Sequence, residues 1–252
     1  MYWTLRTAFC AYLYILVMII PGLIISIFSR TGNLPHIMAQ QWARFTLSCA
    51  HTKVMVKGQE NILTRPAIYM SNHSSFFDIF AILGHLNIQF RWIVKKELFR
   101  IPLVGLTMRR IGYILIDRGN HQKAIQSMKL AAEKIRSGTS ILIFPEGTRS
   151  LDGKIQYPFK KGGFYLALES GAPIVPMTVI GSREILPKYG MKVRPGTITL
   201  TIGKPIYPDG YDVMSLMEEV YNSIKQTYTH FLNHGCQFAR KGPANEMVTT
   251  AR

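Results

Sequence analysis

The segment Asn72-His73-Ser74-Ser75-Phe76-Phe77-Asp78 has the residue types and spacing of a proton-transfer site. An imidazole takes up a proton near neutral pH. It serves as a base toward an alcohol when one tautomer is held, and a carboxylate accepting its ring N–H holds it. His73 in a loop and Asp78 in the first turn of a following helix can meet if the chain folds back. Such a pair can act on a hydroxyl that the substrate itself brings, so no serine or cysteine nucleophile is required. The same residues admit a plainer reading. Ser75-x-x-Asp78 fits a capping box, in which Asp78 ties down a helix start and His73 is an ordinary loop histidine.

Three further blocks carry polar chemistry. Phe144-Pro145-Glu146-Gly147-Thr148-Arg149-Ser150 follows an apolar run, and its proline and glycine shape a tight turn. Such a turn can offer backbone N–H groups to an anion, with an arginine for bidentate phosphate contact; it is also a respectable β-turn with a surface Glu–Arg pair. Phe159-Lys160-Lys161-Gly162-Gly163 precedes a predicted helix, where lysines and free helix N–H groups converge on one anion position. Ile116-Asp117-Arg118 ends a predicted strand; Arg118 is a candidate phosphate ligand and Asp117 its orienting or pairing partner. Ala172-Pro173-Ile174-Val175-Pro176 leads another strand with prolines at its edges and reads as packing around a site.

The elements that must position these blocks alternate. Short apolar runs at Thr52–Val56, Ala67–Met70, Phe90–Val94, Gly112–Ile116, Ser140–Phe144, Ile174–Ile180 and Thr197–Ile202 read as strands. Between them, Phe77–Leu86, Gln122–Arg136 and Phe164–Ser170 read as helices, with a short or broken helix over Leu98–Arg109. Val213–Leu232 closes the series as an amphipathic helix. The pattern predicts an α/β domain with a mixed, mainly parallel sheet flanked by helices. Both His73 and Glu146 then fall just past the ends of buried strands, where α/β folds place their sites.

Ahead of this domain the texture differs. Thr7–Ser29 is a run of 23 residues without charge, flanked by Arg6 and Arg30 and interrupted by Pro21-Gly22. Its length suffices to span a bilayer as a helix. Leu34–Ala50 then mixes Ile37, Trp42 and Phe45 with polar residues, as interfacial helices do. A single span, a hairpin dipped into one leaflet and a buried core pair are all open, with membrane contact favoured. The expected organisation is membrane-binding helices over residues 1–50, a catalytic domain over 51–234 and a loosely ordered tail over 235–252. The whole chain carries 30 Lys+Arg against 14 Asp+Glu, a net of +16, which favours polyanions. Nucleic acid would call for aromatics interleaved with the basic residues or a reading helix, and neither is visible. Cys10, Cys49 and Cys236 lie far apart with no metal or CxxC spacing, so neither a disulfide framework nor a thiolate metal site is expected. No G-x-S-x-G elbow and no carboxylate cluster at ligand spacing accompanies His73.

Taken in this order, the blocks resemble the glycerolipid acyltransferase family, which includes bacterial 1-acyl-glycerol-3-phosphate acyltransferases. The resemblance rests on His73-x4-Asp78, Gly112 to Arg118, the Phe144–Ser150 block and Ala172–Pro176, with Lys95-Lys96-Glu97-Leu98 and Phe159–Gly162 between them. It covers residues 50 to 205. It implies that His73 is a general base oriented by Asp78, and that Arg118, Glu146, Gly147, Thr148, Arg149 and Lys160 hold the acceptor's phosphate. It further implies acyl-CoA or acyl-carrier protein as donor, no metal or other cofactor, and lysophosphatidic acid and membrane lipids as partners. An enzyme of this type would sit on the cytoplasmic face of a bacterial inner membrane. Relatives with the same blocks acylate other lyso-lipids, including ornithine lipids and lysophospholipids with larger head groups. A non-catalytic basic membrane-binding protein is the alternative outside enzymology; it leaves the ordered blocks as coincidence.

Overall fold

The computed structural model describes residues 1–29, 31–101, 103–117 and 119–239. Two helices come first, α1 (Tyr2–Phe28) and α2 (Asn33–Cys49). Then follow β1 (Thr52–Lys57), β2 (Ile68–Ser71), α3 (Phe76–His85), β3 (Phe90–Lys95), α4 (Val104–Ile111), β4 (Ile114–Ile116) and α5 (His121–Arg136). The chain continues through β5 (Ser140–Ile143), α6 (Gly162–Ser170), β6 (Ile174–Ile180), the single turn α7 (Ser182–Ile185), β7 (Gly196–Ile202) and α8 (Val213–Ala239). Among the described residues the strands form one seven-stranded sheet in the order β1-β7-β6-β2-β5-β3-β4. Every pairing is parallel except β6 with β7. The expected mixed, mainly parallel sheet is therefore the one observed.

The central strands explain their own sequences. Strands β2 and β6 are buried at every position, as a strand covered on both faces must be. One face packs Leu47, Phe77, Ile82 and Leu142 beneath α2 and α3; the other packs Ile68, Ile141, Phe164 and Val220 beneath α5, α6 and α8. Because the strands run parallel, the carboxyl ends of β2 and β5 open on the same edge, and the His73 and Glu146 loops emerge side by side there.

The N-terminal helices are docked on the domain. Helix α1 runs unbroken through Pro21, and at Gly22 it approaches α2 so closely that an added Cβ would touch Met38 at 3.4 Å. Trp42 Nε1 donates to the Ala11 carbonyl at 3.3 Å, and Tyr14 lies against Phe45. The turn between the helices is locked by Arg91, which is 1% exposed and donates to the Thr31 carbonyl and to Asn33 Oδ1. Gly32 sits there at φ +73°, and a Cβ would lie 2.4 Å from the Ile111 carbonyl oxygen, so only glycine closes this turn. The outer stripe of α1, Tyr2, Leu5, Phe9, Tyr12, Leu16 and Ile20, stays exposed. No helix among the described residues is long and apolar enough to cross a membrane.

Two boundaries differ from expectation. Gly112 does not start a strand; it ends α4 at φ +88°, and β4 begins at Ile114. Helix α8, expected to close at Leu232, is helical through Ala239, and Leu216, Met217, Val220 and Ile224 bury the face of its first turns. Residues 240–252 of the expected tail lie outside the described residues.

Candidate active site

Strand β2 ends at Ser71 and the next four residues form a loop bonded in every direction. Asn72 Nδ2 donates to the Val179 carbonyl at 2.9 Å, and Val179 N donates back to Asn72 Oδ1 at 2.8 Å, so the loop is stitched to β6. Ser75 caps α3, its hydroxyl oxygen accepting from Phe77 N at 3.1 Å. Its own hydroxyl donates to the Leu186 carbonyl at 2.6 Å. Asp78 is fully buried, and its Oδ2 accepts from Ser75 N at 2.8 Å and Ser74 N at 2.7 Å. The same oxygen lies 2.8 Å from His73 Nδ1. The capping box and the His73–Asp78 contact are thus one structure: the carboxylate that starts the helix also holds the imidazole. A carboxylate oxygen accepts, so Nδ1 carries the hydrogen and Nε2 keeps its lone pair.

His73 is held from two more sides. Its ring stacks on Phe144, with centroids 3.9 Å apart and planes 6° from parallel. Its backbone N–H donates to Glu146 Oε1 at 2.6 Å, and its carbonyl accepts from Ser150 N at 2.7 Å. Glu146 is 4% exposed, and its other oxygen accepts from Gln156 N at 3.1 Å. Burial is the largest influence on this carboxyl and pushes it up to about 7, against the two backbone donors, which favour the ionised form.

A cavity of about 1190 Å³ opens in front of His73. Its floor is apolar and runs between the helical hairpin and the domain, past Met18, Met38, Trp42, Leu83 and Met108. Five basic side chains among the described residues also line it, Lys95, Lys129, Arg149, Lys160 and Lys161, against one carboxylate, Glu169. That balance selects an anion. Arg149 lies 4.0 Å over the Phe76 ring, and burial holds its guanidinium below its ordinary value.

Of the expected phosphate-binding residues, Gly147, Thr148, Arg149 and Lys160 line the same cavity as His73. Glu146 does not line it. Its oxygens face backbone amides behind His73, and a carboxylate aimed at a phosphate would repel it. Arg118 lies outside the described residues. Asp117 bonds Lys96 Nζ at 2.7 Å and the Gly119 N–H at 3.1 Å, and the Lys96 contact holds its carboxyl below the usual range. Lys161, expected with Lys160 at an anion position, also lines the cavity, whereas Phe144 and Lys95 stood within the matching blocks without a site role of their own. Phe144 had a signal, since it stands where β5 ends beside Glu146; the stacking partner itself is invisible in sequence.

Known proteins resemble this chain in both sequence and fold. A family model described as Acyltransferase matches residues 53–180. A chloroplastic 1-acyl-sn-glycerol-3-phosphate acyltransferase of Brassica napus is 34% identical over 76% of this chain and 55% of its own length. The 1-acyl-sn-glycerol-3-phosphate acyltransferase of Pseudomonas aeruginosa is 31% identical over 72% of this chain and 71% of its own. The chain spans between half and three-fifths of the plant and algal relatives named first among its matches. The crystal structure of the 1-acyl-sn-glycerophosphate (LPA) acyltransferase PlsC from Thermotoga maritima superposes with a TM-score of 0.79 at 27% identity, covering 96% of this chain and 97% of that one. With a matching family model over half its length and the site geometry above, the chain belongs to the acyltransferase family.

Proposed function

We propose that the protein transfers a fatty acyl group from a thioester donor, acyl-CoA or acyl-carrier protein, to the sn-2 hydroxyl of 1-acyl-glycerol-3-phosphate, giving phosphatidic acid. One observation carries this reading: His73, backed by Asp78, lines the same cavity as a basic rim and an apolar floor. A ligand that is anionic at one end, apolar at the other and hydroxylated between them matches that order of surfaces. The names of the relatives support the same acceptor.

In this mechanism His73 Nε2 takes the proton of the acceptor hydroxyl as its oxygen attacks the thioester carbonyl carbon. The tetrahedral oxyanion collapses, the C–S bond breaks and the departing thiolate takes the proton back from the imidazolium as free thiol. Asp78 fixes the tautomer and steadies the imidazolium. Thr148, Arg149 and Lys160, with the Gly147 turn, hold the phosphate, and Arg118 joins them. Glu146 serves this site as a positioning residue, bracing the His73 backbone. The apolar floor takes acyl chain. The hairpin of residues 1–50 lays the outer stripe of α1 on the membrane, with the domain on the cytoplasmic face of a bacterial inner membrane, where both donors are made.

The test is acyl transfer from labelled acyl-CoA and acyl-carrier protein to lysophosphatidate, comparing wild type with His73→Ala. Loss of a general base costs on the order of a hundred- to ten-thousand-fold in rate. A folded His73→Ala protein with undiminished turnover removes His73 from the chemistry, and a wild type inactive toward lysophosphatidate but active toward another lyso-lipid moves the acceptor.

A further inference from the structure

Between α7 and β7 the chain makes a loop, Pro187–Arg194, that the chemistry above does not use. Its tip is among the most exposed apolar surface of the described residues, with Tyr189 at 79% and Met191 at 86%. Lys188, Lys192 and Arg194 stand among these residues, and no carboxylate occurs from Leu186 to Gly196. The loop is nonetheless pinned at its base. Gly190 N donates to the Pro187 carbonyl at 2.9 Å, and Arg194 N to the Ile185 carbonyl at 3.0 Å. A tied loop that presents an aromatic, a thioether and basic groups to solvent gains nothing from water at its tip.

Its neighbours on two sides give the tip a purpose. Val193 N donates to Thr4 Oγ1 at 2.9 Å, so the loop abuts the first turn of α1, beside the start of the exposed stripe at Tyr2 and Leu5. On the other side Lys188 Nζ reaches Thr148 Oγ1 at 3.2 Å, at the basic rim of the cavity. We propose that Pro187–Arg194 is a second membrane contact, separate from the helical hairpin, in which Tyr189 and Met191 enter the headgroup layer of an anionic lipid surface while Lys192 and Arg194 meet its phosphates. Amphipathic aromatics settle at the headgroup level and basic side chains are drawn to anionic leaflets, so both chemistries on the loop select the same occupant. Together with the α1 stripe it makes a two-point footing. Two points fix tilt as well as attachment, and the Lys188–Thr148 contact then holds the rim of the cavity at the depth where a lyso-lipid carries its phosphate.

This inference rests on the membrane-facing reading of the proposed function, and its test does not require catalysis. Full-length wild type, Tyr189→Ser/Met191→Ser and Lys192→Glu/Arg194→Glu are partitioned onto phosphatidylcholine vesicles with and without phosphatidylglycerol, with thermal melts to verify folding. The Ser pair is expected to weaken partition to both vesicles by on the order of tenfold or more, since two apolar side chains leave the interface. The Glu pair is expected to weaken partition to the phosphatidylglycerol vesicles alone, by roughly fivefold for each basic charge removed. With vesicle-borne lysophosphatidate the Ser pair raises KM, while turnover of a short-chain, water-soluble lysophosphatidate stays at the wild-type rate. Unchanged partition of both folded variants overturns the second contact, as does a wild type that ignores vesicles altogether. A wild type that binds vesicles through this loop yet acylates no lyso-lipid refutes the proposed reaction and leaves the footing standing.

Discussion

The His73 loop and the N-terminal hairpin are built on opposite plans. Residues 72–75 are held by directional bonds to β6, to the α7 region and to the β5 loop: Asn72 to Val179, Ser74 Oγ to Ser182 Oγ at 3.1 Å, and His73 to Glu146 and Ser150. The hairpin is held mainly by apolar and aromatic contact, with a few polar ties such as Arg91, Trp42 and Arg44, whose Nε donates to the Gly84 carbonyl at 2.6 Å. Directional bonds fix angles, which a base needs if its lone pair is to meet a proton. Apolar contact fixes area and tolerates sliding, which would suit the lipid-facing surface and the acyl-chain cavity proposed above.

If this contrast is right, substitutions in the first region change rate far more than those in the second. The largest effect is expected for His73→Ala, a hundred- to ten-thousand-fold fall in kcat, with chemical rescue by imidazole as the check that the base alone was lost. Asp78→Asn comes next. It keeps the shape but lets the ring flip tautomer, and kcat should fall by about a hundredfold or more while KM for the phosphate acceptor moves little. An Asp78→Asn enzyme whose only defect is in KM breaks the positioning role.

Glu146→Gln sharpens the comparison through stability. Its native carboxyl is pushed up to about 7 from an ordinary 4.5, so the folded form holds this proton more tightly than the unfolded form. The advantage is complete below about pH 4.5 and is lost as pH rises through about 7. Glutamine does not titrate, and its amide N–H₂ leaves one of the two backbone donors unmet, at about 1–3 kcal/mol. Urea unfolding should therefore find the gap between wild type and variant widest in acid, closing by up to about 3 kcal/mol toward neutral pH. A gap that widens with pH contradicts the burial that raises this group.

The two remaining changes belong to the hairpin. Gly32→Ala forces a side chain into a left-handed turn and against the Ile111 carbonyl, at about 1–2 kcal/mol for the backbone alone. Limited proteolysis should open the hairpin, while turnover of a water-soluble acceptor persists. Ala39→Leu, on the cavity floor, has the smallest effect. Filling that space should shift preference toward shorter acyl chains by several-fold, at about 0.8 kcal/mol per methylene displaced. Equal losses for all chain lengths place the chain elsewhere.

Much of this was legible in the sequence, for a physical reason. The apolar runs of β2 and β6 identify buried parallel strands, and a buried strand that ends in polar residues points at a site edge. Ser75-x-x-Asp78 was legible because capping is local. What stayed hidden depends on chain-distant partners. Glu146 reads as an anion-turn residue until its partner 73 residues away, the His73 amide, is seen. Asn72 is bonded to Val179 across 107 residues, and no local spacing announces that. Pro21-Gly22 reads as a break because propensity ranks it so, yet close packing on Met38 overrides the ranking and α1 runs on. Loop Pro187–Arg194 has no periodicity at all, so its exposure emerges only in three dimensions.

The turn locked by Arg91 has a consequence for how the protein is made. Helices α1 and α2 are synthesised first, but the groups that seat them, Arg91, Ile111 and Val193, arrive later in the chain. At a ribosomal pace of roughly 5–20 residues per second, Val193 follows Thr4 after on the order of ten seconds or more. Until these groups have emerged, the helix pair lacks the contacts that seat it in the folded protein. The hairpin can therefore close on itself, through contacts such as Trp42 with Ala11, before it can be seated on the domain.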